Sequence, residues 1–226
     1  PSAEHIFGCD GFGRDVFARV LHGGRVSLSI AVLATITSCA LGSALGAIAG
    51  YFGGVVDSVI MRTLDIFMSV PDILFTMAVV VALGSNFTNL LIALTLAYFT
   101  NYVRLVRSQV LNLSELEYVE AARAGGSGNV RIILSHIIPN AVGVIIVNVT
   151  LNIAKIIIYE STLSFLGLGM PPPQPEWGLM LSEAREFMRK APFLLFYPAL
   201  AIVLCACSVN LVGDGLRDAL DPHLKS

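Results

Sequence analysis

Apolar residues fall in long blocks separated by short polar stretches, and the block lengths set the expected elements. From Val26 to Val56 no residue is charged, well beyond the roughly 20 residues that a membrane-spanning helix needs. Asp72 to Arg104 is also uncharged between its ends but too long for one span, and the turn signal Gly84-Ser85-Asn86 divides it. Helices are therefore expected over about 58–83 and 87–107, with Pro71 kinking or restarting the first. Asp57, Arg62 and Asp65 mark its start; Arg62 and Asp65, at i, i+3, can pair on one face. Arg104 and Arg107 close the second at a water-facing end. Two more spans follow: Ile137–Leu166, interrupted by Lys155 and Glu160, and the uncharged Ala191–Gly213. The pattern predicts an all-α, polytopic membrane protein with five transmembrane helices in this chain.

The remaining stretches read as surface. Residues 1–25 are expected to form a loop and a short amphipathic segment, Val16–Leu21, resting on the membrane, before a transmembrane domain over 26–226. They carry charge and glycine where a signal peptide would have an apolar core, so a segment upstream of Pro1 is expected. Residues 167–190, with Pro171, Pro172, Pro173, Pro175 and the single tryptophan, Trp177, read as a loop with Trp177 at the interface. A polar tail, LRDALDPHLKS, ends the chain.

The long polar interruption of the second half is Tyr118–Asn140, YVEAARAGGSGNVRIILSHIIPN. Ser114 and Glu117 have the spacing of a capping box, so a short helix is expected from Glu115 through Ala124. Gly125 and Gly126 stop it, because a left-handed residue past a helix end costs least as glycine. A second short helix, about Val130–Ile137, leads to Pro139, suited to the first turn of the next membrane helix. Tyr118, Ala121, Ala122 and Gly125, at i, i+3, i+4 and i+7, share a shallow face that another protein could cover.

Composition agrees with a membrane protein: 55% hydrophobic, 13% charged, mean hydropathy +0.78. A net charge of −2 without a Lys/Arg cluster argues against nucleic acid. The Lys/Arg tally is nearly balanced between the two sides and leaves orientation open. Cys39, Cys205 and Cys207 lie in apolar runs and Cys9 stands alone, reading as buried small hydrophobes. His5, His22, His136 and His223 lack metal spacing. AGGSGN lacks the Gly-Lys-Ser/Thr ending of a phosphate loop, and no catalytic residue, metal or cofactor is expected.

Within the spans, Ala34, Ser38, Gly42, Gly46, Gly50 and Gly54 recur every fourth residue and permit close helix packing. Because four exceeds 3.6, the stripe drifts by about 40° per step and is expected to meet more than one neighbour. Asn148, Asn152, Lys155 and Tyr159 follow i, i+4, i+7 and i+11 along an otherwise aliphatic helix. They fit a substrate path, with Lys155 meeting a carboxylate, or interhelical hydrogen bonds. Glu160 is expected to pair with a partner helix or backbone amides in preference to relaying protons. Asn210 and Asp214 fit either a gate or capping and anchoring.

The EAA at Glu120-Ala121-Ala122, the glycine at 126 and Ile137-Ile138-Pro139-Asn140 resemble the cytoplasmic EAA loop of permease subunits in binding-protein-dependent ABC importers. HIFGCDGFGRDVFARVLHGGRVSLSI, GYFGGVVDSVIMRTLDIFMSVP, YESTLSFLGLGMPPPQPEWG and LVGDGLRDALDPHLK resemble segments of the second permease subunit of dipeptide, oligopeptide and nickel importers. The resemblance implies a core of six helices whose first lies before residue 1, coupling helices in a cytoplasmic loop over 114–140, and an extracytoplasmic loop over 167–190. It implies a multi-pass protein of a prokaryotic inner membrane, surrounded by lipid. The implied partners are a homologous second permease, two ABC ATPase subunits and an extracytoplasmic substrate-binding protein. Tyr118, Glu120, Ala121, Ala122, Gly125, Gly126 and Pro139 would engage the ATPase. Gly125 stands where the family usually has leucine and Gly128 where a polar residue is common, which predicts a looser turn and weaker coupling; Cys9 replaces the usual threonine. Dipeptides or oligopeptides are the expected substrates, with nickel or a metal chelate as the alternative. An ion-coupled secondary transporter would instead need inverted repeats and buried mid-membrane carboxylates; a scaffold without transport would leave the Asn148–Tyr159 stripe unexplained.

Overall fold

The structure is a computed structural model, and it describes residues 1–220; the tail beyond, with Asp221, His223 and Lys225, lies outside the described residues. Its helices are α1 (Val16–Phe52), α2 (Gly54–Met68), α3 (Asp72–Leu83), α4 (Phe87–Ser114), α5 (Glu117–Ala124), α6 (Asn129–Ile132), α7 (Ile138–Phe165), α8 (Trp177–Ala184) and α9 (Phe193–Leu220). Four stretches are long and apolar enough to cross a membrane: α1, α4, residues Asn129–Phe165 and α9. The pair α2 and α3, bent by 83° at Ser69-Val70-Pro71, brings the total up to five if it counts as one span. Pro71 restarts the helix, since it has no N–H to continue the ladder of α2.

Helix α1 begins where the carboxylate of Asp15 accepts from the amide of Ala18 at 2.8 Å, a side-chain N-cap. Val16–Leu21 is therefore the first turn and a half of a 37-residue helix instead of a separate surface segment. At about 55 Å, α1 outruns the hydrocarbon layer. It ends at Gly53 and Gly54, both with positive φ (60° and 52°), which turn the chain into α2.

The small-residue stripe of α1 lies along α4, with matching four-residue steps on both helices. Ser38 Oγ donates to the Thr95 carbonyl at 3.2 Å. A Cβ on Gly42 would stand 2.6 Å from the Phe99 carbonyl oxygen, on Gly46 2.6 Å from that of Val103, and on Gly50 2.9 Å from that of Arg107. Over these steps the stripe stays on α4, and α1 also packs against α7, α2 and α8, so the helix meets more than one neighbour as expected.

Helix α2 is mostly exposed, with Leu64 its buried residue. Arg107 grips both oxygens of Asp57 (Nη2 to Oδ2 at 2.6 Å), and Arg104 donates to Asp65 at 2.9 Å. The expected Arg62–Asp65 pair does not form; Asp65 is turned to α4 and pairs with Arg104 instead.

Four further expectations change. The capping box is absent: α4 continues through Ser114, whose hydroxyl donates to the Leu111 carbonyl, and α5 starts at Glu117 after an extended Leu116. The second short helix is not separate, since α6 runs through a π-helical turn, Ile133–Ile137, into α7. That wide turn comes just before Pro139, whose missing N–H would otherwise interrupt a regular α-helical ladder. The 167–190 stretch contains α8, and Trp177 is buried against α1 instead of sitting at an interface. Its Nε1 donates to the Val20 carbonyl at 2.8 Å. Gly24 makes the room, since a Cβ there would lie 2.7 Å from the indole. The cysteines are free; Cys9, Cys39 and Cys205 are only half-buried and Cys207 is exposed, so none is the fully buried hydrophobe expected.

Candidate functional site

The loop between α4 and α7 hangs from one end of the bundle by its inner face. Val119, fully buried, packs with Ala47, Val106, Val110, Ile132, Ile133 and Ile137, and Ala122 leans on the same cluster. Burying these side chains, three apart on α5, orients the helix by one narrow stripe. Tyr118, Glu120, Ala121 and Gly125 are left exposed, as is Pro139 farther along. The shared face expected from spacing thus divides, with Ala122 turned toward the bundle and Tyr118, Ala121 and Gly125 outward.

The glycine turn is fully hydrogen-bonded. Gly126 has φ +80°; its amide donates to Arg123 O at 3.1 Å and that of Ser127 to Ala122 O at 3.1 Å. This is the Schellman pattern with Gly126 as the left-handed residue. Gly125 (φ −74°) and Gly128 (φ −69°) have backbone angles open to any residue. Tyr51, at the end of α1 and unnoticed in the sequence pattern, meets both sides of it: its hydroxyl donates to Asn129 Oδ1 at 3.1 Å and the Arg123 guanidinium lies 5.6 Å from its ring centre.

The polar stripe of α7 meets several surroundings. Asn152 is buried and Lys155 exposed. Tyr159 is half-buried, its hydroxyl 3.2 Å from Thr76 Oγ1 and its ring edge-on to Tyr98 at 5.5 Å. Asn148 donates to its own helix at Val144 O, 3.0 Å, and lines a groove of about 610 Å³ with Asn140, Leu151 and Arg217 of α9. Asn210 and Asp214 are exposed in the middle of α9 and cap nothing, because that helix continues to Leu220.

At the opposite end, residues 1–15 and α8 are tied by ions. Asp10 accepts from Arg14 Nε and Arg19 Nη1, both at 2.6 Å; Glu183 accepts from Arg14 Nη2 at 3.0 Å and Arg19 Nη2 at 2.9 Å. Burial opposes charge on Asp10, but the bonds from Arg14, Phe12 and Arg19 outweigh it and hold its carboxyl below the usual range. Beneath this cluster Glu160 and Glu176 are both fully buried. Glu176 caps α8, accepting from Gly178 N at 2.6 Å and Leu179 N at 3.2 Å. Glu160 accepts from Ser164 Oγ at 3.4 Å, and its other carboxyl oxygen, Oε2, has no hydrogen-bond partner. Glu160 thus bonds to neither the partner helix nor the backbone amides expected of it. Burial holds the Glu176 carboxyl above the ordinary carboxylate range. Glu176 was missed because it lies in a proline-rich stretch with no periodic signal.

No group of His, Cys, Asp and Glu able to hold a metal occurs among the described residues.

Comparison with known proteins gives a consistent result. Residues 42–226 match the family described as binding-protein-dependent transport system inner membrane component. The chain is 46% identical over its whole length to the dipeptide transport system permease protein DppC of Alkalihalophilus pseudofirmus, spanning 74% of that protein. It is 44% identical to the glutathione transport system permease protein GsiD of Pectobacterium atrosepticum, covering 100% of this chain and 75% of that protein. A solved chain of the MetNI methionine ABC transporter in an inward-facing conformation has the same fold, with a TM-score of 0.72 at 17% identity over 91% of this chain and 97% of that one. With helices of membrane-crossing length, and likeness to transport permeases from end to end, the chain belongs to the family of binding-protein-dependent transport system inner membrane components, as a multi-pass permease of the inner membrane.

Proposed function

We propose that this chain is one of two permease subunits of an ABC importer for dipeptides or oligopeptides, working by ATP-driven alternating access. Of two ATPase subunits, one docks on the α5–α6 loop in the cytoplasm and the other on the second permease, and a substrate-binding protein delivers peptide to the opposite side, where residues 1–25 and 167–190 lie. The observation that carries this is the construction of the loop: Val119, Ala122 and Ile132 root it in the bundle, while Tyr118, Glu120, Ala121 and Gly125 stay uncovered. A rooted helix with a shallow free face suits transmission of a push between two packed states. The peptide assignment rests on relatives named for dipeptide and glutathione transport, the latter a tripeptide.

Two experiments test it. Glu120→Ala and Gly126→Leu are expected to leave membrane insertion intact and reduce both transport and binding-protein-stimulated ATPase activity several-fold. Leucine at 126 must adopt a left-handed backbone, at a cost of about 1–2 kcal/mol. Coupled turnover at the native rate in both variants would remove the loop from the mechanism.

The α7 stripe is proposed to line the path, with Lys155 meeting the peptide carboxylate and Asn148 facing the groove beside Arg217. Single cysteines along 145–159, in a chain whose four native cysteines are replaced, should react with an aqueous thiol reagent most strongly at 148, 155 and 159, with the buried 152 slower. Uniform labelling without helical periodicity would argue against a lining role.

A further inference from the structure

We propose that Tyr51 is the positioning residue of the loop: it clasps α5 and α6 across the glycine turn and passes their motion to the end of α1. The proposal rests on the reading of the loop as the point where an ATPase acts.

The hydrogen bonds of the turn, Gly126 N to Arg123 O and Ser127 N to Ala122 O, close the end of α5 and do not reach α6. A Cβ at Gly126 or Gly128 would meet no atom within 4 Å, and Gly125 would meet only backbone of its own helix. The buried anchors, Val119 on α5 and Ile132 on α6, meet in one apolar cluster. Tyr51 adds a polar link between the two arms. Arg123, in the last turn of α5, lies over its ring, and Asn129, the first residue of α6, accepts its hydroxyl. The two bonds differ in direction, one along the ring normal and one in the ring plane, so together they restrain the turn in more than one dimension.

The far side of Tyr51 is equally constrained. Gly50, its neighbour, is wedged against α4, where a Cβ would come within 2.9 Å of the Arg107 carbonyl and Val110. Arg107 in turn grips Asp57 of α2. The ring is half-buried against the cluster that holds Val119 and Ile132. A displacement of either arm therefore reaches the last turn of α1 through an aromatic side chain with only two rotatable bonds, and from there the α1–α4 seam.

The test uses the complete transporter in proteoliposomes and reads peptide moved per ATP hydrolysed. Tyr51→Phe removes the hydroxyl bond and keeps the ring; the ratio is expected to fall about threefold, in line with one hydrogen bond. Tyr51→Ala removes both contacts and should lower it about tenfold or more. Asn129→Ala should match Tyr51→Phe, and Arg123→Lys, which keeps a cation over the ring, should fall least. An independent readout uses the full chain in detergent with spin labels at positions 118 and 131. Their distance distribution should broaden in Tyr51→Ala and stay nearly native in Tyr51→Phe. An unchanged distribution and an unchanged ratio in Tyr51→Ala would overturn the proposal, and so would losses that merely follow the amount of folded complex. Glu120→Ala serves as reference: if it uncouples transport and Tyr51→Ala does not, the clasp alone fails. If neither does, the assignment of the loop fails with it.

Discussion

Gly46→Leu is expected to prevent accumulation of the folded chain, the largest effect of any single change considered. The Cβ of any residue here would lie 2.6 Å from the Val103 carbonyl oxygen and 3.0 Å from the Arg107 amide nitrogen. Both are backbone atoms of α4, so no rotamer change relieves the contact. Relief requires moving α4 away from α1, which also opens the steps at Gly42 and Gly50 and strains the Asp57–Arg107 pair. Overpacking a well-packed site costs about 1–3 kcal/mol, and the loss spreads here along a seam of four matched steps. The comparison is Gly215→Leu, on the same scale of bulk, where a Cβ meets nothing within 4 Å. Detergent-solubilised protein, heated and followed by size-exclusion profile, should show Gly46→Leu aggregated or melting far below native and Gly215→Leu near native. Equal melting of the two would show that the seam tolerates separation.

Glu176→Ala should be the next most damaging. It leaves the amides of Gly178 and Leu179 without their acceptor, at about 1–3 kcal/mol for each unsatisfied group. Glu160→Gln is the informative contrast, since it leaves that cap in place and should cost less. Glu176 also makes a signed pH prediction. Burial pushes the Glu176 carboxyl above the ordinary carboxylate range. A folded-state value raised above the unfolded one gives stability that is complete below the unfolded value, near 4.3 for glutamate, and is lost as pH rises through the folded value. Native protein should therefore melt at progressively lower temperature as pH rises through that window, while Glu176→Gln, which has no carboxyl to ionise there, should be flatter. A steeper slope in Glu176→Gln than in the native chain would contradict the raised Glu176 value.

Helix existence was legible wherever apolar blocks were long, because crossing a bilayer demands about 20 apolar residues whatever the neighbours are. The break at Pro71 and the stop at Gly126 were also readable, since a missing N–H and a left-handed φ are properties of single residues. The capping box at Ser114 and the Arg62–Asp65 pair were misread for one reason. Each was a local possibility that lost to a longer-range one, the continuation of α4 in the first case and the guanidinium of Arg104 in the second. Of the three glycines around the turn only Gly126 takes a left-handed angle, because glycine permits unusual backbone angles without requiring them.

Sites divided the same way. The uncovered residues of the loop followed from a polar stretch interrupting apolar ones, as did the small-residue stripe from its four-residue repeat. Which helix that stripe meets did not follow, because a repeat specifies the shape of one surface and leaves its partner open. Glu176 beneath α8, the indole of Trp177 against Gly24, and Tyr51 across the glycine turn are separated from their neighbours by 16, 153 and 78 residues of chain respectively. Local pattern set where this chain enters and leaves the membrane, since that depends on the solvation of each segment alone. Which side chains meet across the bundle was decided by tertiary packing, where burial, register and charge pairing must be satisfied for all the helices together.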